Sequence, residues 1–206
     1  MTKDQKRLVA DAYDRMAADY LSKYEISTVR QKWLQSLIDG FPSSPAKVLD
    51  LGCGAGVPVA RSLAELGHTV IGVDYSIEQI TRARANVPEA QFIQADMSEI
   101  DFEAGRFDAV GAFYSITHIP AQEQGLLFQR VAGWLKTEGV FVASLGTGAS
   151  GEWVGEWLGQ PMFFGHNSED VSLELLDRAG LLVEESAVEQ QDNEDAKFLW
   201  VKAIKR

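Results

Sequence analysis

The sequence predicts an α/β fold: a doubly wound, mainly parallel sheet of seven strands whose antiparallel last strand lies at an edge. Three observations predict it. Strand-like and helix-like segments alternate from Lys47 onward, a glycine-rich turn follows the first strand, and a short acidic turn joins the last two strands. The 206 residues are enough for one such domain with a full core, but not for two large domains.

Two helical segments precede the sheet. Apolar residues of the first recur at helical spacing as far as Tyr20, and the second ends at Gly40. Two prolines within residues 41–45 then forbid a continuous helix. We therefore divide the chain into an N-terminal helical cap, residues 1–45, and a main domain, residues 46–206.

The main domain alternates strands with helices, as parallel strands with crossover helices require. Residues 107–113 are apolar as a buried parallel strand should be, and Ser76 with Gln79 predicts a capping box. The predicted strands are residues 47–51, 69–73, 90–94, 107–113, 139–145, 181–188 and 198–204. The predicted helices are residues 57–66 and 169–179, one from Ser76 to about Val87, and one that begins at Pro120.

The composition argues against several classes of protein. Acidic residues outnumber basic ones by 30 to 19, and a net charge of −11 repels phosphate backbones, so we expect no nucleic-acid partner. Cys53 is the only cysteine, so no internal disulfide can form. We find no apolar signal core and no apolar run near the ~20 residues that span a bilayer, and we expect a cytoplasmic protein without membrane contact. The three histidines are scattered, and we expect no metal site.

The turn after the first strand reads DLGCGAG, residues 50–56. Glycines permit a tight turn and a close approach of the backbone to a ligand, and the next helix offers free N–H groups. An ordinary α/β turn or a dinucleotide fingerprint also contains glycines. The dinucleotide pattern GxGxxG needs Gly or Ala where this chain has Val57, and the spacing here is GxGxG after an acid, Asp50.

Two more acids follow the next two strands. Asp74 ends the second strand, where a carboxylate can accept hydrogen bonds from two ribose hydroxyls, and a nicotinamide enzyme would use such an acid in the same way. Asp96 follows the third strand. This extra acid and the missing last glycine argue against a nicotinamide-dependent oxidoreductase, which stays as an alternative.

Residues 48 to about 145 resemble the class I S-adenosylmethionine-dependent methyltransferase family, whose fold is Rossmann-like. The glycine turn and its two downstream acids carry the resemblance, together with residues 107–120 and 134–140, which look like the family's later motifs. The resemblance implies S-adenosyl-L-methionine as cofactor and S-adenosyl-L-homocysteine as product. It also implies that the glycine loop lies against the methionine part, that Asp74 binds the ribose and that Asp96 lies near the adenine amino group.

Further cofactor contacts are open to two interpretations. Tyr13 and Tyr20 share one helix face and are either core packing or a lid whose aromatic faces attract the sulfonium cation, as in related small-molecule methyltransferases. Cys53 is either a reactive thiol or, as we favour, a small residue in a tight turn. The cofactor-binding candidates are Asp50, Gly52, Cys53, Gly54, Gly56, Asp74, Tyr75, Asp96, Met97, Tyr13, Tyr20 and Phe113.

The acceptor side is less defined. His118 follows the fourth strand and is either a general base or a histidine that packs at the pocket rim. Residues 146–168 lack periodicity, and we expect an acceptor and lid loop there. Its two tryptophans would share a face of a short helix, and they line either an acceptor pocket or a sheet or subunit contact. The substrate-binding candidates are Tyr114, His118, Trp153, Trp157 and His166.

The predicted activity is methyl transfer to an unidentified small molecule. Transfer from a sulfonium is an in-line displacement, so the protein mainly aligns nucleophile, methyl group and sulfur. A base is needed only where the acceptor must lose a proton. Besides the oxidoreductase, two alternatives stay open: a non-catalytic S-adenosylmethionine-binding or interaction protein, and a transferase acting on polyamines, whose charge the acidic surface suits.

Overall fold

The computed structural model describes residues 3–24, 26–192 and 194–206. The helices within these residues are α1 (Lys3–Tyr24), α2 (Thr28–Asp39), α3 (Val59–Glu65), α4 (Ile77–Asn86), α5 (Ala121–Trp134) and α6 (Glu169–Arg178), with a 3₁₀ turn at Ile116–His118. The strands are β1 (Lys47–Leu51), β2 (Thr69–Asp74), β3 (Gln91–Gln94), β4 (Phe107–Ala112), β5 (Leu135–Leu145), β6 (Gly151–Trp157), β7 (Gln160–His166), β8 (Leu181–Gln190) and β9 (Lys197–Lys205).

Seven strands form one sheet in the order β3-β2-β1-β4-β5-β9-β8. The first five strands pair in parallel, whereas β9 runs antiparallel to both of its neighbours. The predicted doubly wound, mainly parallel sheet with an antiparallel last strand is confirmed. Because the strand order reverses at β1, the carboxyl ends of β1, β2 and β4 frame the crevice in which open α/β sheets bind ligands.

The antiparallel strand does not lie at the edge, and that part of the prediction is wrong. β9 separates β5 from β8, and β8 is the edge strand. The side chains explain this order, because Leu199, Trp200 and Val201 of β9 are consecutive buried residues, whereas β8 carries exposed glutamates. A strand that is buried on both faces is stabilised by neighbours on both sides.

Helices cover both faces of the sheet. The core on one face joins β-strand residues to α2, α3 and α4, and the core on the other face joins them to α5 and α6. Trp33 of α2 is fully buried and stacks on Trp200 of β9, with ring centroids 5.6 Å apart. Burial of a side chain of this size contributes about 1.5–3 kcal/mol or more, so α2 is part of the main core.

The first helix instead crosses the carboxyl ends of the strands. It packs against α4 and β7, and it buries Ala12 and Met16 against Met162. This position places one face of α1 over the crevice at the switch point of the sheet. None of the helices in the described ranges is both long and apolar enough to span a bilayer.

Residues 146–168 are largely a β-hairpin, so the expected loop with a short helix is wrong. β6 and β7 pair antiparallel, with Trp153 opposite Phe164. Two tryptophans four residues apart share a face in a strand as they do in a helix, and Gly155 between them hides the alternation. The indole of Trp153 lies across Gly155, where an added Cβ would come within 2.1 Å of the ring, so this close approach requires glycine.

Candidate cofactor and acceptor site

A cavity lies between α1 and the carboxyl ends of β1, β2 and β4. It encloses about 690 Å³, counting the open solvent at its mouth. Side chains from α1, the glycine turn and the segment after β4 all contribute to its walls. The predicted cofactor residues that line it are Tyr13, Tyr20, Gly52, Gly54, Asp74, Tyr75, Asp96, Met97 and Phe113.

The glycine turn is fixed to the end of β2 and to the segment after β4. Gly52 and Cys53 donate backbone hydrogen bonds to the Val73 carbonyl at 2.7 and 3.0 Å. Ser115 donates its hydroxyl to the Leu51 carbonyl at 2.7 Å. Gly52 has φ +72°, and an added Cβ would come within 2.2 Å of the Ser115 Cβ, so this position needs glycine for both reasons.

The carboxylate of Asp74 is held by backbone N–H groups. Gly54 donates to one oxygen and Ser76 to the other, both at 2.9 Å. Burial raises the pKa of Asp74 to about 6, and these backbone bonds oppose the rise. Each carboxylate oxygen has a second lone pair, so the oriented Asp74 can still accept hydrogen bonds from a ligand in the cavity.

A second cavity of about 460 Å³, counting its open mouth, shares Gly52 and Gly54 of the glycine turn with the first and is lined by Asp50. Asp50 is 2% exposed, and its Oδ2 has no hydrogen-bond partner among the described residues. Burial, followed by the nearby Asp74, raises the pKa of Asp50 to about 7, and Arg30 opposes the rise. Two buried acids beside one loop favour a cationic ligand.

Asp96 connects the sheet to α1. One oxygen accepts hydrogen bonds from the backbone N–H and hydroxyl of Ser98, at 2.8 and 2.7 Å. The other forms an ion pair with Lys6 at 3.0 Å, and Lys6 also pairs with Glu123 of α5 at 3.1 Å. This end of α1 is therefore held across the cavity by charge.

His118 and Tyr13 meet on the opposite wall of the cavity. The Tyr13 hydroxyl lies 3.0 Å from His118 Nε2, and His118 Nδ1 lies 2.9 Å from the Phe163 carbonyl oxygen. A carbonyl only accepts hydrogen bonds, so Nδ1 carries the proton and Nε2 accepts from Tyr13. Burial lowers the pKa of His118 to about 4, so the imidazole is neutral at physiological pH.

Aromatic rings surround this pair. Tyr20 packs edge-on against Tyr13 at 5.2 Å between centroids, and Trp157 lies behind both rings at 6.4 Å from Tyr13 and 6.1 Å from Tyr20. Burial, followed by the charge of Tyr20, raises the pKa of Tyr13 well above its usual value. The Tyr13 hydroxyl therefore keeps its proton across the physiological pH range.

The structure places the remaining predicted site residues as follows. Tyr114 and His118 line the first cavity. Asp50 and Cys53 line the second. Burial raises the pKa of the Cys53 thiol well above its usual value, which favours the reading of a small residue in a turn over a reactive thiol. The predicted residues outside the walls of both cavities are Gly56, Trp153, Trp157 and His166.

The lining residues that were not predicted as site residues include Gln79, Arg30 and Lys6. Gln79 is 1% exposed, neither atom of its amide has a hydrogen-bond partner among the described residues, and it lines both cavities. The predicted capping box is only half formed, because Ser76 accepts from the Gln79 N–H at 3.1 Å while its own N–H donates to Asp74. Arg30 lines the second cavity and Lys6 the first.

Sequence comparison finds a match to a known domain within the chain. Residues 48–139 match the family model described as a methyltransferase domain. The chain is 35% identical over 113 residues to an uncharacterised methyltransferase of Synechocystis sp., a match that covers 54% of this chain and 52% of that protein. It is 31% identical over 111 residues to the ubiquinone biosynthesis O-methyltransferase of Albidiferax ferrireducens, covering 51% and 42%. The chain thus spans about half the length of these curated relatives, or less.

Structural comparison agrees on the fold. The magnesium protoporphyrin IX methyltransferase of Synechocystis with bound S-adenosylmethionine superposes with a TM-score of 0.74 at 16% identity, covering 100% of this chain and 99% of that one. Residues 48–139 thus match a methyltransferase domain, and the chain has the fold of solved S-adenosylmethionine-dependent methyltransferases.

Proposed function

We propose that this protein transfers the methyl group of S-adenosylmethionine to a small-molecule acceptor by in-line displacement. One observation carries the proposal: a single cavity joins the glycine turn, Asp74 and Asp96 to the aromatic wall that contains Tyr13 and His118. A cofactor at the turn would therefore face an acceptor at the wall without crossing solvent. Such alignment is the main contribution of a protein to this reaction.

The polar groups of the cavity suit the parts of the cofactor. Asp74 would accept the two ribose hydroxyls, and Asp96 would lie beside the adenine amino group. The glycine turn and Asp50 would lie beside the methionine part, whose ammonium and sulfonium groups are cations. Aromatic faces such as that of Tyr13 also attract a sulfonium.

The same charges argue against a nicotinamide dinucleotide. Its pyrophosphate would have to approach the glycine turn, where burial raises the pKa of both Asp50 and Asp74 toward neutrality and the charge of Asp74 raises that of Asp50 further. Placing an anion beside ionised carboxylates is unfavourable, whereas a cation offsets their burial. A cationic cofactor therefore fits this loop and an anionic one does not.

The acceptor wall argues against the other two alternatives. A polyamine needs carboxylates to offset its charges, but Asp96 and Glu123 already pair with Lys6. A protein that only bound the cofactor would not need a histidine with a fixed tautomer in addition to its cofactor-binding residues. The Phe163 carbonyl nevertheless fixes the tautomer of His118. The proposal therefore keeps a small-molecule acceptor, and with a net charge of −11 it excludes nucleic acid. The cytoplasmic location stays part of the proposal.

Calorimetry with S-adenosylhomocysteine tests the cofactor site. Asp74→Asn removes the charge from two hydrogen bonds worth ~1.5–3 kcal/mol each, so binding should weaken by about a hundredfold or more. Asp195→Asn, at an exposed residue of the β8–β9 turn, is the matched control and should bind as the wild type does. Tight binding of NAD with no binding of either S-adenosyl ligand would overturn the proposal.

A further inference from the structure

We propose that Tyr13 and His118 form a proton relay that deprotonates a hydroxyl acceptor, so that the reaction is the O-methylation of an uncharged aromatic alcohol. This inference rests on the proposed function. It adds the substrate class, and it gives Tyr13 a catalytic role beyond contact with the cofactor.

The direction of the relay follows from the hydrogen bonds. The Phe163 carbonyl fixes the proton of His118 on Nδ1, so the basic lone pair is on Nε2, 3.0 Å from the Tyr13 hydroxyl. Tyr13 therefore donates to Nε2 and covers it. A group in the cavity reaches this base through the Tyr13 oxygen, which also hydrogen-bonds with the Tyr20 hydroxyl and has two lone pairs, so it can accept a further hydrogen bond from a ligand.

The position of the Tyr13 hydroxyl is set by its neighbours along α1. The adjacent Asp14 accepts hydrogen bonds from the Ser76 hydroxyl and, at 3.1 Å, from the Glu78 N–H at the start of α4. About two turns earlier, Lys6 pairs with Asp96. These contacts attach α1 to the cofactor side of the cavity, so the relay and the cofactor acids are held by one helix.

The charges of the cavity favour a neutral hydroxyl acceptor. Its charged lining residues within the described ranges are Lys6, Asp74 and Asp96, and each is already paired or held by backbone N–H groups. Lys6 and Asp96 neutralise each other, and Asp74 would be taken up by the ribose of the cofactor, so none of these three residues is left to bind an ammonium or a carboxylate group of the acceptor. A hydroxyl is the neutral nucleophile that must lose a proton as it attacks, and the aromatic wall suits an aromatic ring.

The step balances in atoms and charge. The acceptor O–H bond breaks and its proton moves to the Tyr13 oxygen while the Tyr13 proton moves to His118 Nε2. The acceptor oxygen bonds to the methyl carbon, the S–CH₃ bond breaks, and its electron pair stays on sulfur. The positive charge passes from the sulfonium to the imidazolium, so the net charge of the cavity is unchanged. The imidazolium then returns its proton to solvent with product release.

The test is methyl transfer from tritiated S-adenosylmethionine at pH 7.5 to para-substituted phenols of increasing acidity, each matched by the aniline and the thiophenol of the same skeleton. We expect transfer to phenols. His118→Asn and Tyr13→Phe should each slow transfer to weakly acidic phenols by about 10²–10³-fold. The loss should shrink to a few-fold for nitrophenols, which are already ionised. A merely structural role would slow all phenols alike.

The double variant is the internal control. Residues of one relay act as a unit, so Tyr13→Phe with His118→Asn should lose no more than the worse single variant. Losses that multiply, losses that do not depend on phenol acidity, or transfer confined to anilines and thiophenols would each overturn the relay. Binding of S-adenosylhomocysteine without methyl transfer to any of these probes would overturn only the proposal that the acceptor is a hydroxyl. Absence of that binding in the wild type would instead overturn the proposed function.

Discussion

Asp50 offers a quantitative test of the electrostatics beside the glycine turn. Its carboxyl is buried with one oxygen unpartnered, and its pKa is raised from 3.8 to about 7. The folded protein therefore holds a proton that the unfolded chain releases, in the window between these two values. The free energy of unfolding should fall as pH rises through this window, because the native state binds more protons than the unfolded state.

The size of the effect follows from the shift. Each unit of pKa shift corresponds to about 1.4 kcal/mol. Compared with a protein in which Asp50 kept its unfolded-state pKa, the raised pKa lowers the free energy of unfolding of the ligand-free protein by less than about 2 kcal/mol at pH 5 and by about 4 kcal/mol at pH 8. Asp50→Asn removes this titration. The free energy of unfolding of the variant, relative to that of the wild type, should therefore increase by roughly 3 kcal/mol from pH 5 to pH 8.

Urea unfolding of both proteins without ligand, at pH 5 and pH 8, measures this difference. Comparing the change with pH cancels any effect of the amide that does not depend on pH, such as an altered hydrogen bond. Asp195→Asn, at an exposed residue, should show the pH dependence of the wild type. If Asp50→Asn and the wild type change equally between the two pH values, the reasoning is refuted.

Three further outcomes can be measured with the same ligands. Asp96→Ala should weaken S-adenosylhomocysteine binding less than Asp74→Ala, because one hydrogen bond to the adenine amino group is lost rather than two to ribose; equal losses in calorimetry would contradict these roles. Lys6→Ala should raise the dissociation rate of S-adenosylhomocysteine several-fold in stopped-flow measurements, because the ion pair that holds α1 across the cavity is lost; an unchanged rate would show that α1 does not control release. Trp157→Ala should reduce methyl transfer more than Trp153→Ala, because Trp157 supports the Tyr13 ring whereas Trp153 is 46% exposed; the reverse order would restore Trp153 to the acceptor wall.

Most of the sheet could be predicted because the apolar residues of its strands and helices follow regular patterns along the chain. Apart from Asp108, residues 107–113 are apolar, and Ser76 caps α4 as predicted. The hairpin β6–β7 was missed for a specific reason: a spacing of four between tryptophans fits one face of a helix and one face of a strand equally well. Gly151 and Gly155, which alternate with the tryptophans along β6, removed the remaining signal.

The cofactor side of the site could be predicted, because the glycine turn and the acids at strand ends are local patterns. The proton relay could not, since it depends on the Phe163 carbonyl, a backbone group 45 residues from His118 that reaches it only through the hairpin. Arg30 did leave a signal: it lies on the same buried stripe of α2 as Trp33 and Leu37. A charged residue on an apolar stripe is worth examining as a site residue.

The position of β9 inside the sheet has a consequence for how copies of the chain behave beside one another. Within the described residues, the edge strands of the seven-stranded sheet are β3, which has four residues, and β8, which carries Glu184, Glu185 and Glu189. A short edge and a charged edge are both poor templates for pairing with another strand, because a second β8 would bring like charges into register. Had the apolar β9 been outermost, its exposed ladder would have invited fibril-like growth. The strand order of this sheet is thus also a protection against aggregation.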